Sequence, residues 1–168
     1  MNLTISSLPS CSQPEPGVVF QTESWAAYWA DSDRPWLWME EYLQSTSVHC
    51  GMELGANEAM YAELEASGAL VVLTARKLGR LIGYCHLVCH RHPHHPVLCA
   101  FEDTYFVSKP ERKGLVGLRL IKAAVEEARK RGCARLFWQT PEFGSVALLL
   151  ERLGMKKVYS TYSMSLEG

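Results

Sequence analysis

The sequence predicts a single α/β domain in which helices flank a central mixed, mostly antiparallel sheet. Three observations predict it. The chain has 168 residues, 48% hydrophobic and 21% charged; β-rich runs cluster in its middle; and a helix with apolar positions three and four apart follows them. A chain of this length buries about 70% of the surface its unfolded form exposes, so it builds a core without disulfides or metal.

Residues 1–17 are rich in Ser and Pro and have neither a basic start nor an apolar run, so they read as a loose N-terminal segment rather than a signal peptide. Residues 18–168 read as one domain. A short strand is expected at 18–22, and Ser24 can cap a helix over 25–30. The run Asp31-Ser32-Asp33-Arg34-Pro35 interrupts, and Pro35 suits the first turn of a second helix through Trp36, Met39, Glu40 and Leu43. Four of the five tryptophans fall between residues 25 and 38; they either pack this helical pair on the sheet or line a pocket or partner surface. Asn57 can cap a third helix, 58–67, which Gly68 closes. Residues 69–75 and 80–88, joined by a turn at Leu78-Gly79, and then 97–107 read as an antiparallel meander. Helix returns at 114–131, where Val116, Leu120, Ile121, Ala124, Val125 and Ala128 share a face and Gly132 ends the run. A strand at 135–140, a short helix at 145–153 and a last strand or strand pair at 157–166 complete the order.

Seventeen Lys plus Arg against 18 Asp plus Glu leave a net charge of −1, with no block of like charge, which argues against a dedicated nucleic-acid binder. The longest apolar stretches, 69–73 and 146–150, are far short of the ~20 residues of a membrane span, so no membrane partner and a cytoplasmic setting are expected. Cys11, Cys50, Cys85, Cys89, Cys99 and Cys133 form no CxxC pair and read as reduced thiols. His86, His90, His92, His94 and His95, near three of those thiols, have the composition of a zinc site but not its spacing; Pro93 and Pro96 stiffen a turn there, and no metal is expected.

The stretch from Phe101 to Leu120 carries the chemistry. A strand, Phe101-Glu102-Asp103-Thr104-Tyr105-Phe106-Val107, runs into a Pro-containing turn. Then Arg112, Lys113, Gly114 and Gly117 open the long helix. The first N–H groups of a helix lack internal acceptors, glycine lets a ligand approach the backbone, and the basic side chains supply counter-charge. Together they suit a phosphate, though any strand-to-helix turn can hold such residues. No Walker A or dinucleotide loop is present.

This stretch resembles motif A of the GNAT acyl-CoA N-acyltransferases, whose Arg/Gln-x-x-Gly-x-Gly/Ala turn binds the coenzyme A pyrophosphate. Arg112 and Gly117 match its outer positions; its central glycine falls on Leu115, with Gly114 displaced by one. The run Leu149-Leu150-Glu151-Arg152-Leu153-Gly154-Met155 resembles the family's LYxxLGF ending. The wording around residues 102–114, with a His-Pro-rich turn before it, is similar to members encoded by bacteriophages. The resemblance implies a GNAT-like fold and transfer of an acetyl group from acetyl-CoA, as co-substrate, to a primary amine of a small molecule or protein, by direct attack in a ternary complex. It places the pantetheine arm along Tyr105, Phe106 and Val107 and the pyrophosphate on the N–H groups of Arg112, Lys113, Gly114, Leu115, Val116 and Gly117. Ser145 stands beside the position of a helix-start Asn.

For the base, Glu102 and Asp103 are the candidates, with His86 third. Alternation along a strand lets only one of the two carboxylates see the cleft. Counted back from Val107, Asp103 has the parity of the family's acidic residue, and a bulge would reverse this. For the acid, Leu150 stands where the family often has Tyr; Tyr159 or Tyr162 would have to substitute, or the thiolate takes its proton from water. The missing hydroxyl keeps an alternative open: a GNAT-fold module that binds acyl-CoA or a host protein with little catalysis. A small metal-binding regulator built on the histidine turn is a third reading. An exposed tryptophan cluster would favour a homodimer.

Overall fold

The computed structural model describes residues 17–45, 56–140 and 145–159. Most of the N-terminal segment, Cys11, Cys50, Gly144, Tyr162 and most of the expected last strand therefore lie outside the described residues.

Eleven elements follow in the order β1 (Val18–Glu23), α1 (Trp25–Trp29), α2 (Arg34–Ser45), α3 (Glu58–Ala66), β2 (Leu70–Lys77), β3 (Arg80–Arg91), β4 (Leu98–Val107), a 3₁₀ turn (Lys109–Lys113), α4 (Val116–Lys130), β5 (Arg135–Phe137) and α5 (Ser145–Arg152). The strands form one sheet in the order β1-β2-β3-β4-β5. All neighbours are antiparallel except β4 and β5, which run parallel. The expected caps form: Ser24 Oγ accepts from Ala27 N at 3.1 Å and Asn57 Oδ1 from Met60 N at 3.1 Å, each satisfying an N–H the helix leaves open. Leu78 and Gly79 both take positive φ, 51° and 82°, the two-residue turn that matches the twist of a hairpin.

Helices cover both sheet faces. α4 lays Val116, Leu120, Ala124 and Ala128 on Val71, Leu73, Cys85, Leu87, Ala100 and Val107. On the other face Trp25, Tyr28 and Leu37 pack over Leu70, Val72, Leu81, Tyr84 and Phe106. Double coverage explains why β2 and β3 read as unbroken apolar runs. Fully burying residues such as Leu120 and Ile121 contributes roughly 1.5–3 kcal/mol each. The tryptophans divide. Trp25 is core, Trp29 and Trp38 pack at its edge, and Trp36 is exposed.

The structure corrects three expectations. α4 starts at Val116 rather than 114, because Pro110 and its neighbours close a separate 3₁₀ turn. β5 stops at Phe137 after pairing only with Cys99, Ala100 and Phe101; Gln139 N donates instead to Glu102 Oε2 at 3.2 Å, so a side chain replaces the ladder carbonyl. Residues 157–159, the described part of the expected last strand, are not extended into the sheet.

Candidate active site

The first turn of α4 leaves its N–H groups open. No side chain caps it and no acidic residue lies in it, so its N–H groups and the positive end of the helix dipole face outward. Arg112 Nε donates to Val107 O at 2.6 Å, and its guanidinium stands 5.1 Å from the Phe106 ring centre. These contacts pin the basic turn to the end of β4. Lys113 and Gly114 are exposed beside it. Leu115 has φ −93° and Gly114 φ −103°, ordinary values, so this backbone accommodates leucine at Leu115. Gly117 is different. A Cβ there would lie 2.6 Å from the Tyr105 hydroxyl, so any other residue requires that hydroxyl to move.

Beyond Phe101 the parallel ladder of β4 and β5 ends. At the same point β4 carries a bulge: Thr104 pairs with His86 and Glu102 with Leu87, leaving Asp103 as the extra residue. A bulge adds one residue and reverses the alternation beyond it. Glu102 therefore takes the side of Leu87, Tyr105 and Val107, and the parity that favoured Asp103 passes to Glu102. Asp103 turns to the other face, where Tyr61 Oη donates to its Oδ2 at 2.6 Å. Burial, with the charges of Asp103 and Glu41 adding, pushes the Glu102 carboxyl up to about 8 against the N–H of Gln139.

His86 sits on the Asp103 face in a cage of rings: Tyr28 at 4.7 Å, Tyr84 at 5.3 Å, Trp25 at 5.7 Å and Tyr61 at 5.9 Å. It is 2% exposed and neither ring nitrogen has a partner; burial pulls its pKa down to about 3. Glu41 completes the group. It accepts from Tyr84 Oη, and burial, then the charge of Asp103, raises its carboxyl to about 7. Sequence reasoning missed Glu41, Tyr61 and Tyr84. A signal existed for Glu41, which follows the buried Leu37 by four residues and so shares its inward helix face.

The fold puts Asp103 and His86 on one face of the sheet and Glu102 on the other, and sets the first turn of α4 at the far end of β4. It does not bring in Tyr159, which is 75% exposed and rests 6.5 Å from the Phe137 ring. Ser145 is exposed at the start of α5. In the histidine turn, His90 stacks on Phe101 at 4.4 Å while His94 and His95 face solvent.

The model of the acetyltransferase (GNAT) family matches residues 21–155. The chain belongs to this family. Solved structures of GNAT-like shape agree in fold. An aminoglycoside acetyltransferase from an uncultured soil metagenomic sample has a TM-score of 0.67 at 12% identity, covering 91% of this chain and 99% of that one. The ribosomal-protein-alanine N-acetyltransferase of Brucella melitensis biovar Abortus 2308 has a TM-score of 0.65 at 18% identity, covering 89% and 99%. Glucosamine-6-phosphate N-acetyltransferase from Arabidopsis thaliana gives 0.64 at 12%, covering 89% and 99%. No curated protein sequence matches. As a GNAT chain it departs from the family pattern at Leu150, which is buried at 7% exposure and offers no hydroxyl. Among the described residues no group of three or more His, Cys, Asp or Glu is arranged to hold a metal ion, and no helix is long and apolar enough to cross a membrane. A depression of about 330 Å³ lined by Ser67, Gly68, Ala69, Cys89, Leu98 and Arg131 lies near the C-terminal end of α4, apart from these carboxylates.

Proposed function

We propose that this protein transfers an acetyl group from acetyl-CoA to a primary amine, with Glu102 as the general base. The observation that carries the reading is that Glu102 stands where the ladder of β4 and β5 ends, on the strand that leads to the uncapped first turn of α4. The pyrophosphate would lie on the N–H groups of Val116 and Gly117, with Arg112 and Lys113 supplying positive charge. Tyr105, Phe106 and Val107 would run beside the pantetheine arm. The thioester would then reach the bulge, where backbone N–H groups can stabilise the developing oxyanion.

An ammonium cannot attack. Glu102 takes a proton from the amine nitrogen, whose lone pair adds to the thioester carbonyl; the C–S bond breaks as the amide forms, and the thiolate takes a proton from water. A carboxyl raised to about 8 is suited to this exchange near neutral pH. His86, buried and neutral, supports the amine side rather than proton uptake. Tyr159 and Ser145, both exposed, add no support for a dedicated acid.

Leu150 supports a second reading, an acyl-CoA-binding module with little turnover. Free thiol release from acetyl-CoA over a panel of amines and peptides separates the two. Amine-dependent release that Glu102→Gln lowers 10²-fold or more supports transfer; tight acetyl-CoA binding with no release supports the module.

A further inference from the structure

Cys85, Cys89, Cys99 and Cys133 are free thiols, and two of them meet. Cys133 Sγ donates to Cys89 Sγ at 3.9 Å, across 44 positions of sequence. Among the described residues no other two thiols are in contact. The packing of α4 on the sheet makes the meeting. Cys89 lies on β3 with Cys85 and Leu87, on the face that α4 covers, and Cys133 packs against the same core. Gly132, with φ 77°, ends α4 and turns the chain back. Cys133 N then donates to Ala128 O at 3.0 Å and Ala134 N to Leu98 O at 2.8 Å, which fixes the turn that carries the second thiol.

A second observation concerns access. Cys89 and Arg131 both line the depression of about 330 Å³ beside this turn, and Cys133 is half-buried rather than buried. Arg131 is held there by its bond from Nη1 to Gly68 O at 2.8 Å, and its charge favours a thiolate nearby. The two sulfurs differ in surroundings. Burial, with the Cys133 thiol adding, pushes Cys89 up to about 12, so Cys133 is the thiol that a reagent meets first and Cys89 the one that follows. A disulfide holds its sulfurs about 2.05 Å apart, so these two must approach by about 1.9 Å from their 3.9 Å contact, a closure that side-chain rotation can supply.

We propose that Cys133 and Cys89 form a modification site for low-molecular-weight disulfides, in which Cys133 captures the reagent and Cys89 displaces it by closing an internal disulfide. Cys133 Sγ attacks one sulfur of RS–SR; that S–S bond breaks, and the departing RS⁻ takes the proton Cys133 gives up. Cys89 Sγ then attacks Cys133 Sγ; the mixed disulfide breaks, and the second RS⁻ takes the proton of Cys89. Two protein thiols are oxidised and one RS–SR is reduced to two RSH. The product ties β3 to the turn between α4 and β5. No step involves Glu102 or an acyl group, so the site stands apart from the acyl-transfer reading.

The test treats the full chain with 2-hydroxyethyl disulfide, quenches with acid, alkylates the remaining thiols and maps tryptic peptides by mass spectrometry. Peptide 81–91, which holds Cys85 and Cys89, should appear joined to peptide 132–135, which holds Cys133, at two hydrogens less than their sum, with fragmentation placing the link on Cys89. Dithiothreitol should reverse it, and the oxidised protein should melt about 5 °C or more above the reduced one, because the link closes a long loop. Cys89→Ala should stop at the mixed disulfide on Cys133, and Cys133→Ala should slow modification of Cys89 about ten-fold or more. Absence of the joined peptide from the treated parent overturns the proposal. So does a mixed disulfide on Cys133 that persists in the parent, a dominant link from either sulfur to another cysteine, or a linked protein that melts below the reduced one.

Discussion

Gly117→Ala tests how the first turn of α4 is built. In a helix, alanine is favoured over glycine by about 1 kcal/mol, so propensity alone predicts a more stable protein. The structure predicts the opposite. The new Cβ would stand 2.6 Å from the Tyr105 hydroxyl, which must retreat by about 0.8 Å to reach the 3.4 Å at which contacts become ordinary. Tyr105 has little room, because its ring is half-buried and meets Trp138 edge-on at 5.4 Å. Overpacking of this kind costs about 1–3 kcal/mol, leaving a net loss of about 0–2 kcal/mol after the propensity gain. Removing the hydroxyl should cancel the clash, since the next ring atom, Cζ, is 3.9 Å from the Cβ. In urea titrations of the parent, Gly117→Ala, Tyr105→Phe and the double variant, the double should therefore be more stable than the two single effects sum to, by about 1–3 kcal/mol. Titration with acetyl-CoA should follow the same order, recovering in the double variant. Additive stabilities would refute the claim that Tyr105 dictates glycine at this position.

Four further outcomes follow. Glu102→Gln should abolish a rise in kcat toward a plateau above about pH 8, and a parent profile flat from pH 6 to 9 would contradict the assignment of the base. His86 binds its proton near 6.5 when unfolded and about 3 when folded, so its contribution to stability is complete above 6.5 and is lost as pH falls toward 3, on the order of 5 kcal/mol in all; His86→Phe should shift acid unfolding to lower pH. Gly83→Ala would press a Cβ to 2.8 Å from Phe106 O, a backbone atom that cannot swing aside, and should lower stability by about 2–3 kcal/mol in denaturant titrations. Arg112→Ala should weaken acetyl-CoA binding ten-fold or more and flatten its salt dependence, while costing about 1 kcal/mol of stability for the lost bond to Val107 O.

What the sequence disclosed and what it hid differ by the range of the interactions involved. The periodicity of Val116, Leu120, Ala124 and Ala128 and the caps at Ser24 and Asn57 are local signals, and the structure uses them as read. The Pro-containing turn before α4, which carries Arg112, was legible for the same reason, because a turn is written in consecutive residues. The length of β5 was not. Its strand-like residues run on past Phe137, but Glu102 takes the Gln139 N–H from the ladder, a competition between positions 37 residues apart. Glu41 was hidden by distance as well, since it gains meaning only when α2 lies over β4 and Tyr84 points at it.

The bulge is the deciding case, because no residue type announces that Asp103 has no ladder partner. Were β4 paired with no bulge, Asp103 would lie with Tyr105 on the α4 side and Glu102 would face Tyr61. With it, neighbouring carboxylates are divided between the α4 side, where Glu102 accepts from Gln139 N, and the opposite face, where Asp103 accepts from Tyr61. One insertion in the pairing thus supplies two acidic groups with different surroundings, one raised by burial and bonded to Gln139 N, the other exposed and held by a tyrosine. Deleting Asp103 would leave Thr104 against His86 and Glu102 against Leu87 in a regular ladder, so Glu102 should keep its side and the high-pH limb of kcat should persist, while Tyr61 loses its acceptor. Loss of that limb in a deletion variant that still folds would show that the pairing with Leu87 does not place Glu102.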